Sequence, residues 1–166
     1  MPKVSIILPV YGVAECIEQC AHSVFGQTME DLEIVFVDDC TPDNSIEIML
    51  EVLEQYPSRK SQVKVLRNTV NSGLAKTRWN GVEKATGEYF LFVDSDDFIE
   101  VTMAEDLYAK AQECDADVVL CDFCQYGRSG SFVVNTALNG VVGNGENLKD
   151  EMINRDAYPN VWFRLF

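Results

Sequence analysis

The sequence predicts an α/β fold in which a mostly parallel β-sheet carries helices on both faces. The first observation behind this prediction is that short apolar runs alternate with helical patterns through about the first 125 residues. The second is that several of these runs are almost uninterrupted, which is typical of strands buried on both faces of a sheet. Parallel neighbours in such a sheet are joined by right-handed crossovers. A chain of 166 residues is long enough for one such domain.

The first half of the pattern contains two strands and two helices. Val4–Val10 is a continuous apolar run and is predicted as the first strand. Apolar residues recur at helical spacing over Ala14–Phe25, and a second strand follows at Leu32–Val37. Thr41 is predicted to cap the second helix, because Pro42 after it suits the first helical position.

The next segment repeats the alternation. Val63–Leu66 is predicted as a short third strand. Gly73 precedes a helix predicted from Leu74 to about Ala85, with Gly87 as its C-terminal cap. Tyr89–Val93 is predicted as the fourth strand.

The pattern weakens toward the C-terminus. Met103–Cys114 is predicted as a helix and Asp117–Phe123 as a fifth strand. Ser131–Val134 fits an edge strand, Gly140–Gly145 a glycine-rich loop, and Glu146–Asn154 a short helix.

Composition excludes some classes of partner. The chain has 27 acidic against 13 basic residues and a formal charge of −14, which argues against binding nucleic acid. Its six cysteines show no zinc-ribbon spacing and are expected to be reduced apolar residues. We find neither a secretory leader nor a run of about 18 apolar residues. A cytoplasmic location is therefore expected, with peripheral attachment to the inner face of the membrane as an option.

The residues after the strands are the candidates for function, since ligands bind beyond the carboxyl ends of the strands in such sheets. Tyr11 follows the first strand and Asp38-Asp39 ends the second. Asn71 and Gly73 lie beyond the third strand. The fourth strand runs into the sequence Asp-Ser-Asp-Asp at residues 94–97. Five carboxylates are thus predicted at one edge of the sheet.

The Asp-x-Asp of the fourth strand predicts a metal site. Asp94 and Asp96 would point the same way from an extended strand end. Crowded carboxylates repel one another unless a cation binds or one of them is protonated. Hard oxygen ligands suit Mg²⁺ or Mn²⁺, which also take waters and phosphate oxygens. A diphosphate is the natural partner; the alternative is that the aspartates only cap the following turn.

The other candidates each have a structural alternative. Asp38 or Asp39 could accept hydrogen bonds from a base or ribose, or could cap the second helix. Tyr11 could lie against a base or pack at the strand end. Arg78 could grip a phosphate or face solvent.

Four segments in collinear order carry a resemblance: VSIILPVYGV, EIVFVDDCTPDNS, NSGLAKTRWNGVEKATGEY and LFVDSDD. Together they span about residues 3–100 and resemble the family 2 glycosyltransferases of GT-A fold, which is Rossmann-like. The resemblance implies transfer of a sugar from a nucleotide-diphosphate sugar to an acceptor hydroxyl, with inversion and with Mg²⁺ or Mn²⁺. The acceptor would be a glycan or a lipid-linked molecule.

The resemblance also implies roles for individual residues. Asp96 would bind the metal directly, and Asp94 would lie on its ribose and metal side. The nucleotide-binding residues implied are Pro9, Tyr11, Asp38, Asp39, Asn71, Gly73, Arg78, Asp94 and Ser95. Departures from the family pattern occur at Gly12, Cys40 and Trp79.

The resemblance divides the chain into a donor-binding domain, 1–125, and the truncated start of an acceptor-side region, 126–166. It marks no catalytic base among Asp150, Glu151 and Asp156. The alternative function is therefore a module that binds nucleotide-sugar without turnover. An aromatic tail, formed by Trp162, Phe163 and Phe166, could be buried against a second copy in a homodimer.

Overall fold

The computed structural model describes residues 1–127, 130–134 and 164–165. The loop predicted at 140–145, the helix predicted at 146–154, the acids at 150, 151 and 156, and the aromatic tail lie outside the described residues.

Strands and helices alternate as predicted over the first 114 residues. The strands are β1 (Val4–Val10), β2 (Leu32–Asp38), β3 (Val63–Arg67), β4 (Tyr89–Phe92), β5 (Val119–Leu120), β6 (Phe123–Gly127), β7 (Gly130–Val134) and β8 (Arg164–Leu165). The helices are α1 (Ile17–Phe25), α2 (Ser45–Leu53), α3 (Leu74–Val82) and α4 (Met103–Cys114), and a 3₁₀ helix covers Pro57–Gln62. Among these described helices, none combines the length and the apolar character needed to cross a bilayer.

The main sheet has the strand order β3-β2-β1-β4-β8-β5. The pairs β3–β2, β2–β1 and β1–β4 are parallel, whereas β8 is antiparallel to both of its neighbours. The prediction of a mostly parallel sheet is confirmed. Register pairs Val10 with Asp38 and Ile7 with Phe92, so the carboxyl ends of β1, β2 and β4 meet at one edge.

The sheet is buried on both faces in its centre. Every residue of β1 and β2 is buried, as their continuous apolar sequences predict. α3 covers one face at close range: a Cβ added to Gly81 would lie 2.4 Å from the Ile7 side chain. Glycine is therefore required at position 81 for α3 to approach the sheet, and this approach carries α3 to the functional edge.

Two helix boundaries differ from prediction. The second helix begins at Ser45, so the assignment of Thr41 and Pro42 as its start is wrong. Thr41 lies in the preceding loop, where its side chain contacts the β1–α1 connection. The third helix ends at Val82, and Gly87 is not its cap. The chain leaves this helix early because Thr86 and Gly87 are hydrogen-bonded to side chains of the sheet.

The predicted fifth strand is divided between two sheets. β5 keeps only Val119–Leu120 in the main sheet, whereas β6 pairs with β7 in a separate antiparallel hairpin. A strand at 131–134 is confirmed, but it belongs to this hairpin. β8 lies between β4 and β5, with Leu165 fully buried. The main sheet thus includes residues beyond 125, and the domain division at 125 stays a prediction.

Candidate functional site

A cleft of about 420 Å³ opens at the carboxyl edge of the sheet, where β1, β2 and β4 end. The structure brings together eight of the predicted site residues in its lining: Pro9, Tyr11, Asp39, Asn71, Gly73, Asp94, Ser95 and Asp96. Four further residues line the cleft and were not predicted as site residues: Val10, Val13, Leu74 and Thr77.

Asp39 is the anchor of the β2 side of the cleft. Its carboxylate accepts hydrogen bonds from the Asn68 side chain at 2.7 Å and from the backbone N–H groups of Ser72 at 2.8 Å and Gly73 at 2.9 Å. Burial alone would raise the pKa of Asp39, but these donors lower it. The ionised carboxylate therefore holds the loop that enters α3, and it faces the cleft.

Asp38 has a different role, because successive side chains of a strand point in opposite directions. Its carboxylate accepts the Thr41 backbone N–H at 2.7 Å and pairs with Arg67 at 3.3 Å. Of the two adjacent aspartates, Asp39 faces the cleft and Asp38 supports the loop after β2.

The loop after β1 is held by the loop after β2. The backbone N–H groups of residues 12–14 donate in turn to the side chains of Thr41, Ser45 and Asp43. Partial burial would raise the pKa of Asp43, but hydrogen bonds from the Ser45 and Thr41 hydroxyls and from the backbone N–H groups of Ala14 and Ser45 lower it to about 2. These hydrogen bonds between the two loops fix the position of Tyr11, whose side chain is half-exposed in the lining of the cleft.

The Asp-x-Asp turn is held in place by hydrogen bonds to β1 and α3. The Ser95 hydroxyl donates to the Pro9 carbonyl at 2.6 Å, which ties the turn to β1. Arg78 donates to Asp94 at 2.5 Å, and its guanidinium lies 5.7 Å from the centre of the Phe92 ring. Both partners of this ion pair are largely buried. Arg78 is therefore placed behind Asp94, outside the lining of the cleft.

The acidic residues of this turn fit a shared cation. Asp94 and Asp96 line the same cleft. Partial burial, followed by the charges of Asp96 and Asp94, raises the pKa of Asp97, as expected of crowded carboxylates. Across the part of the chain that the structure describes, no three acidic, histidine or cysteine side chains form a metal cage. Two carboxylates would leave the remaining coordination positions of Mg²⁺ or Mn²⁺ to water and phosphate oxygens.

A polar network missed at the sequence level links β3 to α3. The Asn68 side chain donates to Asp39 and to Thr77 at 3.2 Å, and it accepts from Asn80 at 2.8 Å. Thr77 and Asn80 are three residues apart on α3, a spacing that places them on one side of the helix. The spacing of Thr77 and Asn80, together with the position of Asn68 directly after β3, is the sequence feature from which this network could have been predicted.

Cys40 carries backbone strain at the edge of the site. Its φ is +58°, a left-handed conformation that costs a non-glycine residue about 1–2 kcal/mol. We expect the free energy of unfolding of Cys40→Gly to exceed that of Cys40→Ala by about 0.5–1 kcal/mol: both variants lack the hydrogen bond from the Cys40 thiol to the Asn68 carbonyl, and only alanine keeps the strain. Urea denaturation measures this value. A glycine variant no more stable than Cys40→Ala would contradict the prediction.

Comparisons with known proteins agree on one family. The sequence model of the family described as Glycosyl transferase family 2 matches residues 5–164 of this chain. Glycosyltransferase GlyG of Streptococcus pneumoniae is 35% identical over 130 residues, which cover 78% of this chain and 42% of that protein. A poly(ribitol-phosphate) beta-glucosyltransferase of Bacillus spizizenii is 40% identical over 121 residues, which cover 71% of this chain and 18% of that protein.

A solved structure shows the same fold. The crystal structure of S. aureus TarS 1-349 in complex with UDP superposes with a TM-score of 0.62 at 35% identity, covering 71% of this chain and 34% of that one. The chain thus spans less than half the length of each of these relatives.

Proposed function

Because the chain belongs to glycosyl transferase family 2, we propose that it binds a nucleotide-diphosphate sugar in the cleft and serves its transfer to an acceptor hydroxyl. The observation that carries the proposal is the convergence of Asp39 from β2 with Asp94 and Asp96 from β4 on one cleft. The relative crystallised with UDP supports a nucleotide as the ligand.

Each part of the ligand has a matching part of the cleft. Tyr11 and Leu74 offer half-exposed apolar surface to the faces of a base, and Asp39 offers a carboxylate to its edge. Asn71 and Gly73 lie beside the nucleoside, and Asp94 faces the ribose and the diphosphate. A divalent cation, Mg²⁺ or Mn²⁺, held by Asp96 with Asp94 would stabilise the negative charge of the leaving diphosphate.

The reaction proposed is a single displacement with inversion. The acceptor oxygen forms a bond to the anomeric carbon as the bond from that carbon to the diphosphate oxygen breaks, and a base takes the acceptor proton. Arg78 holds Asp94 in place and offsets its charge, so the acidic turn keeps its shape before the ligand arrives. Ser95 supports the same turn through the Pro9 carbonyl.

A second candidate function is a module that holds nucleotide-sugar without turnover. Among the described residues that line the cleft, the acids are Asp39, Asp94 and Asp96, and the proposal assigns each of them to the donor. The base and the acceptor site would then come from elsewhere.

Isothermal titration calorimetry with UDP and Mn²⁺ tests the proposal. We expect binding that weakens at least about tenfold when EDTA removes the metal, because two protein carboxylates and a diphosphate repel one another without it. A hydrolysis and transfer assay with UDP-sugars, run beside the titration, separates the two functions. Binding with turnover supports the enzyme, binding alone supports the module, and absence of nucleotide binding contradicts both.

A further inference from the structure

Asp43 is the residue through which the loop after β2 holds the loop after β1. Its Oδ2 accepts a hydrogen bond from the Ala14 backbone N–H at 3.0 Å. Its Oδ1 accepts from the Thr41 hydroxyl at 2.7 Å, from the Ser45 backbone N–H at 3.2 Å, and from the Ser45 hydroxyl. Asp43 lies outside the lining of the cleft. Both of its oxygens therefore bind the protein itself.

Asp43 also orients the two hydroxyls that bind the neighbouring residues of the loop after β1. A hydroxyl has one hydrogen to donate and two lone pairs that can accept. Because Thr41 and Ser45 donate their hydroxyl hydrogens to Asp43, their lone pairs are left for the N–H groups of residues 12 and 13, at 2.8 Å and 3.2 Å. Three consecutive N–H groups of this loop thus depend on one carboxylate, directly or through a hydroxyl.

The position of Tyr11 depends on these backbone contacts. The Tyr11 side chain is 52% exposed, so packing contributes little to fixing its ring. Gly12 after it has a φ of +68°, a left-handed conformation. The following residue, Val13, also lines the cleft and packs partly against the core. Release of the N–H groups of residues 12–14 would therefore let this side of the cleft change shape.

The acidic side of the cleft is supported by a different set of contacts. Arg78 binds Asp94, and the Ser95 hydroxyl binds the Pro9 carbonyl. Neither hydrogen bond includes Asp43 or one of its partners. Substitutions at sites that share no partners usually act independently of one another. A change at Asp43 should therefore alter the loop after β1 and leave the turn at residues 94–97 in place.

We propose that Asp43 is a positioning residue that keeps the loop after β1 in the shape that receives the nucleoside, separately from the binding of metal and diphosphate by the acidic turn. The inference rests on the proposed function, because it requires a nucleotide in the cleft with its base beside Tyr11. Hydrogen bonds to a charged acceptor are stronger than those between neutral groups. Asparagine at this position would place an amino group against an N–H or hydroxyl that needs an acceptor, so the link between the two loops would be lost.

Isothermal titrations of the full chain with UDP and with inorganic pyrophosphate, both with Mg²⁺, test the proposal. In Asp43→Asn we expect UDP affinity to fall at least about tenfold, as for loss of a charged hydrogen bond, while pyrophosphate affinity stays within about threefold. Glu47→Gln is the matched control: it removes the same charge at an exposed position of α2 and should change neither affinity by more than about twofold.

The two ligands separate positioning from general support of the domain. Equal losses of affinity for UDP and pyrophosphate in Asp43→Asn overturn the inference and leave the proposed function standing. Unchanged UDP affinity overturns it too, as does a wild-type protein that binds UDP without binding pyrophosphate. If the wild-type protein binds neither ligand, the proposed function falls as well.

A second pair of variants tests the same link with smaller changes, and it decides the question if Asp43→Asn does not fold. Thr41→Val removes the hydroxyl that joins Asp43 to the Gly12 N–H, whereas Thr41→Ser keeps a hydroxyl there. We expect Thr41→Val to weaken UDP binding about threefold or more without affecting pyrophosphate, and Thr41→Ser to bind both ligands like wild type. A Thr41→Val variant with wild-type UDP affinity overturns the inference.

Discussion

Replacing Asp96 with asparagine should abolish most metal-dependent nucleotide binding while leaving the fold intact. Asp96 is exposed in the cleft, and no hydrogen bond of the described part of the chain depends on its side chain. Loss of an outer partner of a metal site typically costs 10–100-fold in affinity, so loss of a direct ligand should cost about 100-fold or more. The metal-free variant should melt at the wild-type temperature or slightly above it, because the repulsion among residues 94–97 falls.

Electron paramagnetic resonance of free Mn²⁺, in the presence of UDP, measures the metal affinity directly. Asp97→Asn is the matched control, since it removes the same charge from the same turn at a residue outside the cleft lining. We expect the control to retain affinity within about threefold, an exposed-charge effect. Equal losses of Mn²⁺ affinity in the two variants would show that affinity depends only on the total negative charge of the turn, and the assignment of Asp96 as a ligand would be wrong.

The second large effect is expected at Glu33, at the opposite end of the sheet from the cleft. Glu33 is 5% exposed, and its carboxylate accepts from the Ser5 hydroxyl at 2.6 Å, from the N–H and hydroxyl of Thr86 at 2.8 Å each, and from Lys64. It thereby connects β1, β2, β3 and the segment before β4. Glu33→Gln places an amino group against these donors, and we expect a loss of about 2–4 kcal/mol in the free energy of unfolding.

This loss should depend on pH. Burial would raise the pKa of Glu33, but the hydrogen bonds from Lys64, Ser5 and Thr86 lower it below its ordinary value of 4.5. A carboxyl with a lowered folded-state pKa stabilises the fold fully above its unfolded pKa, and the contribution is lost as pH falls through the folded value. The difference between wild type and Glu33→Gln should therefore be largest at neutral pH and shrink below about pH 4.5.

Urea denaturation at a series of pH values measures the difference. Glu51→Gln is the matched control: it makes the same change at an exposed position of α2 and should alter stability by less than about 0.5 kcal/mol. A pH-independent difference for Glu33→Gln would mean that packing, and not the charge, accounts for the loss.

Local patterns in the sequence were sufficient for the parallel centre of the sheet and for the edge at which the candidate site lies. The unbroken apolar runs of β1 and β2 predicted strands buried on both faces, and both are buried throughout. The rule that parallel strands bring their carboxyl ends to one edge predicted that Tyr11, Asp39 and the 94–96 turn would meet. Each strand and the polar residues that follow it are close together in the chain, so the local pattern of apolar and polar residues is enough to predict them.

The tertiary structure decided which polar groups that are far apart in the sequence bind one another. Thr41 was predicted to cap a helix, but it lies opposite the β1–α1 loop and binds Gly12 instead. The pairing of Arg78 with Asp94 and the insertion of Leu165 between β4 and β5 also join segments that no local pattern relates.

The division follows from the range of the forces involved. Hydrophobic periodicity extends over several consecutive residues, so it can be recognised without knowing which other segments pack against them. The sequence alone therefore predicts most strands and helices and the edge of the sheet where ligands bind. A carboxylate is satisfied by whichever donors the fold brings to it. Only the packed structure therefore decides that Asp39 faces the cleft and binds the loop before α3, while Asp38 supports the loop after β2.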